Sequence, residues 1–513
     1  MPRVVFRCDA TRATGSGHLA RCMALAHALH ARGADIDVVV RDLPPRAREL
    51  LIAPIAATVH ELGAPTYGHA NASDEGAPLA HADWLAVPQR VDAQQTIEAL
   101  RAHSRPDWLI VDHYALDTRW ERMLRPHVGG ILAIDDLADR EHDCDALLDQ
   151  NFFREPHVRY DALVPHHATR MLGPKYSLLR AEFGAARERL GERTGELERV
   201  FVCFGGFDVA QQTMRALHAL EQSGLDLHVD VIIPGDHPQR AAIERWCRGR
   251  TDAHVHHDAD EIAALMAAAD LAIGASGTMN WERAALSLPS IIASVAENQH
   301  LVGRELAADR ACVYLGLAHE WTADTLAALL RGLKGTPALL AALAARAGAL
   351  TDGRGAQRVA ARLLPEPIEL RRATAADCDA IHAWRNAEET RRHSGDARPI
   401  ALDEHRRWFA RVLQDAQVAL LVGEHAGSAA GVLRYDVAGE EAVVSIYMVP
   451  GRHGQGLGTA LLRAGAQWLR RHHPAVRRIR AEIRRDNTAS LEAFANAGFG
   501  LERHTYVLDL AHG

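Results

Sequence analysis

Short apolar runs alternate with longer amphipathic stretches over the first two thirds of the chain. Val4 to Phe6 reads as a buried strand; a Gly-rich loop follows, then a helix over Leu19 to Ala31 that stops at Gly33. Ile36 to Val40 predicts the next strand. Trp108 to Val111 and Ile131 to Ile134 have the same buried character, and each runs into acidic or polar residues. Strands alternating with helices predict a parallel α/β sheet. Such sheets bind ligands at the carboxyl ends of their strands. The residues to read for chemistry are therefore Asp9, His18, Asp112, His113, Tyr114, Asp135 and Asp136.

Residues 184–198 are charged and poor in apolar side chains, with Gly184, Gly191 and Gly195, and read as a linker. Val200 to Phe204 restarts the α/β pattern and runs into Gly205-Gly206. Further strands are predicted at Val229 to Ile233, Leu271 to Ile273 and Ser290 to Ala293. An Ala-rich helix near Arg362 closes this second unit, and Pro365 and Pro367 mark a boundary. From Ile368 the pattern changes to a helix, a Val/Leu-rich antiparallel stretch, a Gly loop and another helix. The expected domains are 1–185, 196–362 and 367–513: two Rossmann-like halves that bind ligand between them, then an autonomous third.

Composition narrows the class. The 513 residues suit about three domains. The net charge of −8 offers no global basic field for nucleic acid, although protonation of the 30 histidines would erase it at low pH. Seven scattered cysteines without a CxxC pair form neither a disulfide framework nor a zinc knuckle. With no signal peptide and no apolar run long enough to span a bilayer, a cytoplasmic protein without membrane contact is expected.

Three turns carry candidate chemistry in the first two domains. Thr14-Gly15-Ser16-Gly17-His18 lies between a strand and a helix, where glycines permit close backbone approach and a helix N-terminus favours phosphate. His18 there suits a general base, but a lone Gly-x-Gly-His is a weak signal and the spacing alone fits a helix-capping histidine facing water better. Gly205-Gly206-Phe207-Asp208 is a second phosphate-type turn, or a simple tight turn. In Gly274-Ala275-Ser276-Gly277-Thr278-Met279-Asn280-Trp281-Glu282-Arg283 a strand ends in small residues and a helix follows. Its amides and hydroxyls suit a diphosphate and Glu282 suits ribose hydroxyls, against the alternative of a capped helix with a surface Glu. Asn298 and Gln299 follow another strand and add polar contacts.

These motifs resemble the GT-B nucleotide-sugar glycosyltransferases of the MurG type. They are closer still to the PseG-type UDP-2,4-diacetamido-2,4,6-trideoxy-β-L-altropyranose hydrolases of pseudaminic acid biosynthesis. The matching stretches are Arg7-Cys8-Asp9-Ala10, Gly15-Ser16-Gly17-His18, Arg21-Cys22, Val111-Asp112-His113-Tyr114, Ile134-Asp135-Asp136-Leu137-Ala138, Leu148-Asp149-Gln150-Asn151, Gly205-Gly206-Phe207-Asp208, Trp281-Glu282-Arg283 and Glu297-Asn298-Gln299. The resemblance covers roughly residues 1–350. It implies UDP on the second domain, the sugar in the cleft, and a water activated by His18 attacking the anomeric carbon with inversion and without metal. Asn280 and Glu282 then contact sugar and uridine, while Tyr114 and Asp9 orient substrate or His18. Gly15, Gly17, Gly205, Gly206, Ser276, Gly277, Thr278, Asn298 and Gln299 complete the expected substrate site.

In the third domain the strand Ile446-Tyr447-Met448-Val449 runs into Pro450-Gly451-Arg452-His453-Gly454-Gln455-Gly456-Leu457-Gly458-Thr459 and a helix, a pyrophosphate cradle or a plain turn. With Asn487, Ser490, Phe494 and Ala497-Gly498-Phe499 downstream, residues 367–511 resemble the GNAT acetyltransferases. Trp384-Arg385-Asn386 and His405 to Phe409 resemble the PseH type, which acetylates the 4-amino group of UDP-4-amino-4,6-dideoxy-N-acetyl-β-L-altrosamine. Acetyl-CoA would then lie on Val449, Arg452, His453, Gly454, Gln455, Gly456, Gly458, Thr459 and Asn487. Two positions depart from the pattern. His453 stands where Arg or Gln is usual, and Phe494 stands where many members carry a Tyr general acid, leaving Tyr506 or water for that role. Glu441 and Ser445 are candidate water-holding groups, or simply solvent-facing strand residues.

His142-Asp143-Cys144-Asp145 mixes metal-ligand types without a second ligand pair at metal spacing, so no metal is expected. Arg477-Arg478-Ile479-Arg480, lacking interleaved aromatics, suits CoA phosphates or solvent better than RNA. The expected fold is α/β, a GT-B-like pair of Rossmann-type domains followed by a GNAT α+β domain. The expected function is bifunctional, acetylating a UDP-amino sugar and then hydrolysing the product. A glycosyltransferase with an acetyltransferase tail, and a non-catalytic nucleotide-sugar sensor, are the rival readings. Oligomeric state is not legible.

Overall fold

The structure is a computed structural model that describes residues 1–10, 17–41, 43, 48–63, 79–101, 103–205, 208, 211–257, 261–365, 368–392, 398–453, 456–484 and 487–501. Gly15, Ser16, Gly206, Phe207, Gly454, Gln455, Pro367 and Tyr506 lie outside the described residues. The chain divides into two compact units, Met1–Ala360 and Ala361–Gly513.

The first unit holds two parallel sheets. One contains β1 (Arg3–Cys8), β2 (Asp35–Val40), β3 (Thr58–Glu61), β4 (Trp108–Asp112), β5 (Gly130–Ile134), β6 (Ala146–Asp149) and β7 (Thr169–Leu172), in the order β3-β2-β1-β4-β5-β6-β7. The other contains β8 (Arg199–Cys203), β9 (His228–Ile233), β10 (Ala253–His257), β11 (Leu271–Ala275), β12 (Ser290–Ser294) and β13 (Val313–Leu317), in the order β10-β9-β8-β11-β12-β13. Every central strand is buried on both faces, which explains the continuous apolar runs in sequence. In each sheet the strand order reverses beside the first strand, between β1 and β4 and between β8 and β11. Ligand sites of doubly wound sheets lie at this reversal.

The linker expected at 184–198 is instead largely a packed segment. The helix Ala181–Arg189 buries Phe183 against the second sheet's core. Arg187 donates to Ala285 O at 2.9 Å and Gly348 O at 3.1 Å, and Arg193 donates to Leu286 O at 3.0 Å. These arginines satisfy carbonyls at helix ends that have no partner within their own helices, so the charge that suggested solvent exposure serves docking. The chain returns through the helix Gly355–Leu363, where Arg358 donates to Lys175 O at 2.8 Å. A Cβ at Gly355 would lie 2.2 Å from Ser177 O, so only glycine fits this crossing.

His142 and Asp143, read as metal-type residues, serve ion pairs. His142 Nδ1 lies 2.7 Å from Glu121 Oε1, and Asp143 pairs with Arg125 at 3.3 Å. Burial opposes the His142 charge, but Glu121 and Asp135 outweigh it and raise its pKa to about 9. A raised folded-state value contributes stability below the ordinary histidine pKa, and that stability is lost as pH rises to about 9. His142→Gln is therefore expected to be less stable than the parent by about 1–3 kcal/mol at pH ~6. In paired denaturant titrations the gap shrinks as pH rises through this window; a gap independent of pH contradicts the assignment.

The second unit is a five-stranded sheet of β14 (Glu369–Arg372), β15 (Val418–His425), β16 (Ser428–Ala438), β17 (Glu441–Met448) and β18 (Arg478–Arg480), in chain order. All its pairings are antiparallel except β17–β18, which is parallel. The helix Leu457–His472 lies on one face, its Leu461 within 2.7 Å of where Cβ atoms would stand at Gly423 and Gly431. Helix and sheet thus pack closely at these glycines.

Candidate functional site

At the strand reversal of the first sheet, Cys8 of β1 stands in register with Asp112 at the end of β4. The helix that follows β1 begins at Gly17 and carries His18 and Arg21 on one face, because residues three apart are neighbours on a helix. His18 Nδ1 lies 2.6 Å from Asp112 Oδ1. An ionised carboxylate only accepts, so the proton of this contact sits on Nδ1 and the basic ring atom is Nε2. Arg21 clamps the same carboxylate, donating from Nε to Oδ2 at 2.6 Å and from Nη2 to Oδ1 at 2.7 Å. Burial works against the Asp112 charge, but Arg21, joined by His18, holds the carboxyl well below the usual range. Arg21 Nη1 reaches Asp136 at 2.8 Å, and Asp136 accepts from the Tyr114 hydroxyl at 2.6 Å. The Tyr114 ring meets the His18 ring edge-on, 4.6 Å between centroids. His18 and Tyr114 are thus the two ends of one chain running through Asp112, Arg21 and Asp136.

Asp9 does not orient His18: that carboxylate is Asp112. Asp9 pairs with Arg7 at 2.8 Å, accepts from Arg41 N at 2.7 Å and lies 3.4 Å from His113 Nε2. Arg7, fully buried on β1, also pairs with Asp92 at 2.7 Å. Burial disfavours the Asp9 charge, but Arg7 and His113 keep its carboxyl far below the usual range. Asp9 therefore belongs to a buried ion network beneath the site.

In the second sheet, β11 ends in Ala275 and the chain turns through Ser276 and Gly277 into the short helix Met279–Ala285. Arg283, 1% exposed, reaches back under this turn and donates to Ala275 O at 2.7 Å and Asn280 Oδ1 at 2.6 Å. Burial lowers its pKa to about 10. The Asn280 carbonyl is thus engaged by Arg283, and its amide lies 3.5 Å from Ser276 Oγ. Glu282 is half-buried on the same helix, and burial pushes its carboxyl up against the opposing effect of Arg180. Gln299 braces the neighbouring turn by accepting from Val295 N at 3.1 Å, and a Cβ at Gly277 would lie 3.4 Å from its amide nitrogen. Asn298 beside it is exposed. Gly205 has a left-handed backbone with φ of +90° at the end of β8. Asp208 caps the next helix, accepting from Gln212 N at 2.7 Å and Thr213 N at 2.8 Å.

The two halves meet at these turns. A Cβ at Gly17 would lie 3.4 Å from Thr278 Oγ1. The helix start bearing His18 therefore faces the helix start following β11, and one ligand can touch both.

In the second unit, among the described residues, β17 pairs with β18 over Glu441–Val443 and then runs on to Met448. Five residues of β17 therefore lie beyond the pairing and end at the turn carrying Val449 and Arg452. Gly451 and Gly456 have left-handed φ of +78° and +75°, and Arg452 N donates to Val449 O at 3.0 Å. His453 lies 3.5 Å from Glu389. Gly458 opens the following helix against Met448 and Ala493, and Thr459 Oγ1 donates to Ala493 O at 3.4 Å. Asn487 Oδ1 accepts from Ser490 N at 3.1 Å, capping the helix Thr488–Asn496. Phe494 is buried and meets Phe499 edge-on at 4.9 Å, a core position. Glu441 stands at the opposite end of β17 from the turn at Val449, about 26 Å away along the strand. A water-holding role near the turn therefore does not fit Glu441, whereas Ser445 is exposed on the part of β17 that lies beyond the β18 pairing and pairs with β16.

Among the described residues no single helix is long and apolar enough to cross a membrane, and no group of three or more His, Cys, Asp or Glu side chains is arranged to hold a metal ion.

Residues 368–500 match the family model for the acetyltransferase (GNAT) domain. The chain is 26% identical over 174 residues to the UDP-2,4-diacetamido-2,4,6-trideoxy-β-L-altropyranose hydrolase of Campylobacter jejuni, 34% of this chain and 61% of that protein. It is 27% identical over 193 residues to the spore coat polysaccharide biosynthesis protein SpsG of Bacillus subtilis, 37% of this chain and 57% of that protein. The matches thus span about three fifths of each curated relative. Among solved structures, Arabidopsis thaliana UGT89C1 complexed with UDP superposes on 71% of this chain and 100% of its own, with a TM-score of 0.51 and 15% identity. The chain thus joins a GT-B-like pair of Rossmann-type domains, similar in part to a UDP-sugar hydrolase, to an acetyltransferase (GNAT) domain.

Proposed function

We propose that the chain is a bifunctional enzyme of pseudaminic acid biosynthesis. The second unit transfers the acetyl group of acetyl-CoA to the 4-amino group of UDP-4-amino-4,6-dideoxy-N-acetyl-β-L-altrosamine. The first unit hydrolyses the resulting UDP-2,4-diacetamido-2,4,6-trideoxy-β-L-altropyranose to UDP and free sugar. The observation that carries the hydrolytic half is the His18–Asp112–Arg21 constellation facing the turn at Thr278. The GNAT match supports the other half, as does the length of β17 left beyond its pairing with β18.

The geometry supports a simple sequence of events. Asp112, kept ionised by Arg21, holds the proton on His18 Nδ1, so Nε2 takes a proton from water as its oxygen attacks the anomeric carbon. The bond from that carbon to the diphosphate oxygen breaks, and the configuration inverts. Backbone amides and hydroxyls at Ser276–Thr278 take up charge on the departing diphosphate. In the second unit, the turn from Val449 to Thr459 holds the CoA pyrophosphate, and the amine attacks the thioester in the space beside β17. With Phe494 in the core, the proton for the leaving thiolate comes from another group or from water. Catalysis in the cytoplasm follows from this reading.

Run in 18O-labelled water, the hydrolysis is expected to place the label on the anomeric oxygen of the sugar and none on UDP, read by mass spectrometry of both products. Label in UDP means attack at phosphorus and contradicts the role given to His18.

A further inference from the structure

We propose that Trp84, backed by His81 and Tyr114, forms an apolar wall beside His18 that receives the methyl-bearing face of the sugar and disfavours a hydroxyl at C6. The inference rests on the nucleotide-sugar reading above and assigns the specificity of that same site.

Four rings assemble here. Trp84 lies 4.6 Å from His81 and 5.5 Å from Tyr114, with an interplanar angle of 31° to the latter. His81 lies 5.3 Å from Tyr114, and Trp84 lies 6.5 Å from His18 at 84°. His18 and Tyr114 are nearly closed off, whereas His81 and Trp84 are half-buried and keep open surface. Trp84 sits in a single helical turn, Ala82–Leu85, at the cleft end of the first sheet. Leu85 and Val87 anchor this turn in the core beside Val91 and Ile97, so the indole is held in place while part of it stays open. A half-open tryptophan fixed beside a general base is a poor use of apolar area unless something covers it.

The occupant follows from the chemistry of the wall. Indole and phenol faces accept apolar groups and offer little to a hydroxyl. The Tyr114 hydroxyl is already given to Asp136. A methyl placed here leaves water at no polar cost. A hydroxyl placed against the indole face loses its water without a replacement partner there. A C6 methyl, such as that of the 6-deoxy sugar in the proposed substrate, therefore suits the face of Trp84 better than a C6 hydroxyl does.

Binding to full-length protein carrying His18→Gln, which keeps the ligand intact, separates this inference from the broader reading. The probes are UDP, a UDP-linked 2,4-diacetamido-6-deoxy sugar, and the same UDP-linked sugar with a hydroxyl at C6, titrated calorimetrically. The deoxy ligand is expected to bind at least ~10-fold more tightly than the C6-hydroxylated one, the scale of one methyl group in an apolar pocket. Adding Trp84→Ala is expected to bring that ratio to within about twofold, and Trp84→Phe to restore part of it, while affinity for UDP stays unchanged and reports an intact fold. A ratio that survives Trp84→Ala, or is absent beforehand, overturns the wall and leaves the nucleotide-sugar reading standing. Failure to bind UDP at all overturns that reading and the wall with it.

Discussion

His18→Ala is expected to lower kcat for UDP release by about 10²–10⁴-fold, the range for loss of a positioned general base, with UDP affinity nearly unchanged. Asp112→Asn is expected to fall in the same range for a different reason. An amide in place of the carboxylate no longer requires the proton on His18 Nδ1, and the Arg21 clamp loses its charged partner across the 2.6 Å and 2.7 Å contacts. The double variant is expected to lose little more than either single one, because both act through one proton transfer. Multiplicative losses would mean that Asp112 works elsewhere. Acetyl transfer, followed as free CoA, is expected to continue in all three variants.

Gly274→Ala is expected to have the largest effect on the nucleotide turn. A Cβ at Gly274 would lie 2.1 Å from Cys203 O and 2.8 Å from Arg283 Nη1. The first contact is against the backbone of β8 at the strand reversal, and neither β11 nor β8 can retreat without breaking the ladder. The second disturbs the guanidinium that ties Ala275 O to Asn280. Overpacking of this kind costs about 1–3 kcal/mol or more. The expected outcome is a lower unfolding midpoint for the first unit and UDP affinity reduced by at least ~100-fold, which is about 2.7 kcal/mol. Normal UDP binding in a folded Gly274→Ala protein would remove this turn from the site.

The architecture was legible because buried parallel strands are written as uninterrupted apolar runs. β1, β2, β4, β5, β8, β9, β11 and β12 all stand where those runs predict. β10 was missed because its sequence, Ala-His-Val-His-His, lies at a sheet edge and is only partly buried, so it carries no strong apolar signal. β13 was missed likewise, with all five residues half-buried and a glycine within. The positions of His18, Ser276, Thr278 and Gln299 at strand ends could be read from order and composition alone. The partner of His18 could not. Asp112 stood out as a polar residue after a strand, but its pairing with a side chain 94 positions away depends on the β1–β4 register. The same holds for Asp9, whose commitment to Arg7 and Asp92 is invisible without the helix Gln89–Leu100 in place. Trp84 and His81 lie on a single turn without periodicity, so nothing in the sequence drew attention to them.

The proposed function is two consecutive reactions on one substrate, the first required for the second. Incubation of the chain with UDP-4-amino-4,6-dideoxy-N-acetyl-β-L-altrosamine, with and without acetyl-CoA, tests this most directly when free CoA and UDP are followed together. The predicted result is release of CoA first, with UDP appearing after it and only when acetyl-CoA is present. CoA release without UDP, or UDP release that waits for an added sugar acceptor, would contradict hydrolysis by the first unit; release of neither would contradict the substrate itself.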